Sequence, residues 1–226
     1  MLLRSSLILL VALSAFAQAP APAAPKPVGA KPMAAVKPPL FLKEEWKQTA
    51  AGGEHETNQE SVGNPMLELK HYGEFGHVLL TGKAGDENNP IHTWSGECEA
   101  ACGFMLRHKE NMADLSGMAR VRVNTKASGF HGVRLMVKLA DGTVLVGDRA
   151  DGIFRDWLVS EYLVSDLKWM KLDPKKLVTN GNLIENPDLS KVDEIGFVDL
   201  YAGSGHGPGG WSDVAQMEVY AKAVKR

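Results

Sequence analysis

The chain has 226 residues, 44% of them hydrophobic, and a formal net charge of −2. That length fills one core and excludes two large domains. Basic and acidic residues are interspersed with no basic stripe, which argues against a nucleic-acid partner. The seven histidines show no metal-ligand spacing such as H-E-x-x-H.

Met1–Arg4 is a positively charged start, Leu7–Leu13 an unbroken apolar run, and Ala15-Phe16-Ala17 a small-x-small cleavage pattern. Together they predict a signal peptide over residues 1–17 and a secreted or periplasmic product. The apolar run falls far short of the ~20 residues a spanning helix needs, so no membrane span is expected in the mature chain. Residues 18–39 hold seven of the twelve prolines among Ala and Lys. Such composition predicts an extended, disordered linker. The folded domain is expected over residues 40–226.

Within it, short apolar runs alternate with Gly, Asn, Asp and Pro, the punctuation of an all-β protein. Leu42–Gln48 is a possible short helix. Met66–Tyr72, His77–Thr81 and Gly103–His108 read as strands. Arg120–Thr125 and Val133–Leu139 alternate with a period of two, as a sheet with one buried face requires. Asp141-Gly142, between Leu139 and Val144, predicts a type I′ hairpin turn. Pro174–Leu177 is another possible helical turn. Trp157–Val164, Ile195–Leu200 and Val214–Tyr220 complete about eight or nine strands. This pattern predicts an antiparallel β-sandwich or jelly roll, with a closed barrel as the alternative.

Cys98 and Cys102 form a C-x-x-x-C pair. On a strand they would lie about 13 Å apart at ~3.3 Å per residue, too far to bond. On a helix a bond would be strained, and a loop would permit it. The disulfide therefore remains open, and a two-cysteine metal site would need ligands from elsewhere.

Two segments carry candidate binding chemistry. Asp199–Asp213 is glycine-rich and holds His206, Trp211 and Asp213. Asn88–Glu97 reads as a loop bearing His92, Trp94 and Glu97. Tryptophan offers a flat face to a sugar ring, and Asp and His supply directed hydrogen bonds. Plain structural loops are the alternative for both. Asp148, Asp151 and Gly152 lie close enough in sequence to offer oxygens to a structural calcium ion, but the spacing is not that of a twelve-residue calcium loop. No cofactor is otherwise expected. Glu97, Asp148, Glu161, Asp199 and Asp213 are the available acids, and their spacing pairs none of them for hydrolysis.

Val192-Asp193-Glu194-Ile195-Gly196-Phe197, the glycine-rich loop and Trp211–Tyr220 resemble the last two strands of a galactose-binding-like jelly roll. The Val133–Gly147 hairpin, followed by Asp156-Trp157 and Lys168–Leu172, is similar to the centre of the same carbohydrate-binding-module-like domains. The resemblance implies a non-catalytic carbohydrate-binding or surface-interaction module whose partner is a glycan or cell-envelope component. The alternative is a carbohydrate-active hydrolase on a concanavalin-like sandwich, with Glu97, Asp148 or Asp199 as acids.

Overall fold

The computed structural model describes residues 36–96, 98–151, 154–203 and 210–226. The expected leader, most of the proline-rich stretch, Glu97 and His206 lie outside them. The strands, in chain order, are β1 (Leu40–Glu45), β2 (His55–Glu56), β3 (Leu67–Tyr72), β4 (Leu79–Thr81), β5 (His92–Trp94), β6 (Cys102–His108), β7 (Asn111–Asp114) and β8 (Arg120–Gly129). They continue as β9 (Val133–Leu139), β10 (Val144–Asp151), β11 (Leu158–Leu163), β12 (Trp169–Leu172), β13 (Thr179–Ile184), β14 (Val192–Asp199), β15 (Gly210–Tyr220) and β16 (Lys222–Lys225).

The strands form two antiparallel sheets packed as a sandwich. The seven-stranded sheet runs β11-β8-β15-β5-β4-β2, with β1 also on β15; the nine-stranded sheet runs β13-β12-β10-β9-β14-β6-β3, with β7 also on β14 and β16 on β7. Period-two patterning decides which faces meet. On β8, Val121, Val123, Thr125 and Ala127 are buried, while Arg122 is exposed and Asn124 and Lys126 are half-buried. On β14 and β6, Phe197 and Phe104 point inward, their rings 6.4 Å apart, and Trp46 meets Phe104 edge-on at 5.2 Å. Burying one such side chain contributes about 1.5–3 kcal/mol. The core thus lies between the sheets, and the outward residues of β8 and β15 are left to form a second surface.

Three expectations are corrected. Leu40–Glu45, read in part as helical, is a strand: pairing with β15 from Leu40↔Tyr220 to Glu45↔Gln216 overrides its local pattern. His92–Trp94 is not loop but a strand between β15 and β4. The β9–β10 turn is not type I′, which needs positive φ at both central residues. Only Gly142 is left-handed, at φ 88°. Gly142 N donates to Leu139 O and Leu139 N to Thr143 O, so the loop has three residues rather than two.

Cys98 and Cys102 are disulfide-bonded, with α-carbons 6.3 Å apart. Cys98 lies in the turn after β5, which is why the short spacing closes. Residues 36–39 are not strand, but Lys37 Nζ sits 3.4 Å from the centre of the Tyr220 ring. Ala221 N donates to Pro39 O.

Candidate functional site

Strand register builds the site on the outward face of the seven-stranded sheet. Leu79 lies opposite Trp94, Trp94 opposite Asp213, and Asp213 opposite Lys126, one row across β4, β5, β15 and β8. Thr81 lies opposite His92 in the next row. Trp211 is two residues before Asp213 on β15, so it shares that face. Thr81, His92, Trp94, Lys126, Trp211 and Asp213, with Glu54 and Asn89, line a cavity of about 250 Å³. Of the five expected binding residues, the structure therefore gathers His92, Trp94, Trp211 and Asp213.

Of two residues not singled out for this site, Lys126 lines the cavity and Trp157 packs beside it. Lys126 Nζ lies 5.3 Å from the centre of the Trp211 ring and 5.6 Å from that of Trp157. Both distances are within reach of a cation–π attraction. Trp157 is edge-on to His92 at 5.1 Å, and its indole N–H donates to Asn88 O. Lysine and tryptophan on separate strands carry no joint signal in the sequence; only the register of β8 against β15 reveals it.

The floor is electrostatically unusual. His92 Nδ1 is 2.7 Å from Pro90 O. A carbonyl only accepts, so Nδ1 carries the proton and Nε2 is bare. Nε2 faces Asp213 Oδ2 at 3.7 Å, too far for a direct hydrogen bond. Burial pushes the Asp213 carboxyl up to about 7, against the pull of Lys126. Burial also pushes His92 down to about 4, helped by Lys126 and opposed by the Pro90 hydrogen bond. At neutral pH the site holds a neutral imidazole acceptor beside a carboxyl that is partly protonated.

The other expected acids are engaged elsewhere. Asp199 is buried; its Oδ2 is 2.7 Å from His131 Nδ1 and accepts from Ser212 Oγ at 2.7 Å, and its Oδ1 accepts from Tyr201 N at 3.0 Å. It therefore pins three segments rather than facing a cleft. Glu161 pairs with Arg120 and Lys37. Asp148 accepts from Lys168 N, and Asp151 from Arg149 Nε, both at 3.0 Å. Both carboxylates thus accept hydrogen bonds from the protein, and Gly152 lies outside the described residues.

A larger concavity of about 500 Å³ lies beside β12 and β13, lined by Trp169, Leu183, Ile184, Pro187 and Leu189. It holds one tryptophan, and Ser165, Lys168, Glu185 and Asn186 also line it.

The architecture and site define a β-sandwich domain with a small aromatic-walled pocket on the outer face of one sheet. No family model matches the chain, and no curated protein does. It is similar to a solved structure of the family 11 carbohydrate-binding module of the cellulosomal cellulase Lic26A-Cel5E of Clostridium thermocellum, at 14% identity and TM-score 0.43, over 75% of this chain and 95% of that one. A family 11 module of the same organism, in complex with a beta-1,3-1,4-mixed-linked tetrasaccharide, matches at 14% identity and TM-score 0.38, over 80% and 97%. An exo-beta-agarase matches at 10% identity and TM-score 0.38, over 72% of this chain and only 24% of that one. At this distance the site stands on its own residues.

Proposed function

We propose that the chain is an exported, non-catalytic carbohydrate-binding module that takes a glycan or cell-envelope saccharide. The carrying observation is the pocket in which Trp94, Trp211 and Lys126 stand around the His92–Asp213 floor, with Trp157 packed behind Lys126 and His92. Aromatic faces suit the C–H faces of a sugar ring, and the polar floor suits its hydroxyls. The cavity's volume of about 250 Å³ is near the small end of ligand sites, about 300–1,000 Å³. That size favours a single sugar unit or a chain end over a long polymer segment. Export is supported by the amino-terminal leader pattern and by a disulfide, which persists in oxidising compartments.

A glycan array followed by calorimetry tests the reading. Wild type retains at least one glycan class, and Trp211→Ala weakens it by about 2 kcal/mol, roughly thirtyfold. Retention of no glycan, or equal affinity in the variant, overturns it.

One observation favours hydrolysis as the second reading. Glu54 and Asp213 line the same pocket, and a carboxyl held near 7 is a proton donor at neutral pH. Release of reducing ends from the bound glycan, abolished in Asp213→Asn with binding retained, would establish the enzyme. Binding without release leaves the module.

A further inference from the structure

A second cluster of chemistry-bearing side chains lies where the free edges of the two sheets meet. Glu56 is on β2, the last strand of the seven-stranded sheet, and His71 is on β3, the last of the nine-stranded sheet. His77 lies in the chain between β3 and β4. His77 Nδ1 is 2.6 Å from Glu56 Oε1, and His71 Nε2 is 4.0 Å from the same oxygen. The two imidazoles lie 4.6 Å apart, tilted by 32°. One ligand atom from each residue falls within 4.8 Å of the other two.

We propose that Glu56, His71 and His77 bind a divalent first-row transition-metal ion, which clips the edges of the sandwich together. Two imidazoles and a carboxylate are the donor set of such ions, and hard cations such as calcium prefer oxygen alone. A tetrahedral zinc ion with ligands at about 2.0–2.2 Å holds its donor atoms roughly 3.3 Å apart. Donor atoms up to 4.8 Å apart must therefore close by up to about 1.5 Å. The side chains that must move are the exposed ones: Glu56 is 57% and His77 43% accessible, against 20% for His71.

His71 is already held as a ligating histidine is held. Its Nε2 is 2.7 Å from Thr57 O, and a backbone carbonyl is a usual partner for the second nitrogen of a metal-bound imidazole. That bond engages Nε2, the nitrogen that lies 4.0 Å from Glu56, so His71 ligates through Nδ1, which is buried and without a hydrogen-bond partner among the described residues. Metal entry displaces the proton shared by His77 and Glu56. The exposed side of the cluster provides the path in, and water fills the fourth position. The sequence showed no motif because the ligands come from three separate elements.

The test uses the full chain, without a histidine tag and stripped with chelator. Titration calorimetry with zinc is expected to show one ion bound per chain, and zinc to raise the melting temperature, while magnesium and calcium do neither. His77→Ala and Glu56→Gln, both at exposed positions that the core does not need, each weaken zinc by at least about tenfold and remove the thermal shift. His55→Ala, outside the cluster, changes neither. The absence of zinc binding by wild type overturns the site, as do variants that bind and melt as wild type does. The sugar pocket is untouched by any of these outcomes.

Discussion

At the scale of single residues, the pocket floor couples charge to pH. In the unfolded chain an aspartate titrates near 3.9, whereas folded Asp213 is raised to about 7. Between those values the native state holds a proton that the unfolded chain has lost. Its stabilising effect is complete below about pH 4 and is lost as pH rises through about 7. Three pKa units set an upper bound of about 4 kcal/mol on the effect. His92 has the opposite sign: lowered from 6.5 to about 4, it costs stability as pH falls through that window. Above about pH 7 His92 is neutral in both states, so Asp213 alone changes with pH within the pair. Asp213→Asn is therefore expected to gain stability relative to wild type as pH rises from 5 to 8.5, by on the order of 2–4 kcal/mol. Urea titrations at the two pH values measure the difference. Glu44, also raised to about 7 by burial against two backbone N–H donors, is common to both proteins and cancels. A pH-independent difference would show that Asp213 is ionised throughout.

At the scale of elements, the nine-stranded sheet turns on β14, which pairs with β6, β7 and β9. Gly196 lies opposite Met105 on one side and Met136 on the other. A Cβ built there would sit 1.9 Å from Phe104 O and 2.6 Å from the Met105 α-carbon. Both are backbone atoms of the neighbouring strand, so no side-chain rotation relieves the clash. Glycine within a strand marks such an approach. Gly196→Ala is expected to cost about 3 kcal/mol or more, read from the urea midpoint at unchanged m-value. A cost under 0.5 kcal/mol would mean that the strands part freely. The same strands show what was legible in the sequence. Arg120–Thr125 reads correctly because one buried face imposes a two-residue period over a long run; Val133–Leu139 is a strand as expected, but Met136 on its other face is buried as well, in a second apolar cluster with Met105 and Val198. His92–Trp94 is too short to show a period and becomes a strand only through its neighbours. Trp94, Trp211 and Asp213 were recognisable as residue types, but Lys126 enters the site through pairing register, which composition does not encode.

At the scale of the molecule, the question is what joins the two sheets besides their shared core. The chain passes from the seven-stranded sheet to the nine-stranded one between β5 and β6, and the Cys98–Cys102 bond closes that crossing. Gly203 N also donates to Cys98 O, which ties the end of β14 to the same corner. The sites expected from the two chain segments meet because the crossing places β5 beside β15 in one sheet. The disulfide closes a loop of only about five residues, so loop-closure entropy assigns it about 2 kcal/mol, small beside the core. A Cys98→Ser/Cys102→Ser double variant is thus expected to fold, with its melting temperature lowered by about 4–8 °C. Calorimetric melting of the variant and the oxidised wild type, with thiol counting to establish the redox state, measures this. Failure of the variant to fold would mean that the covalent corner, rather than core packing, aligns the sheets. An unchanged melting temperature would mean that the hydrogen bond from Gly203 and the packing around the corner hold the crossing without it.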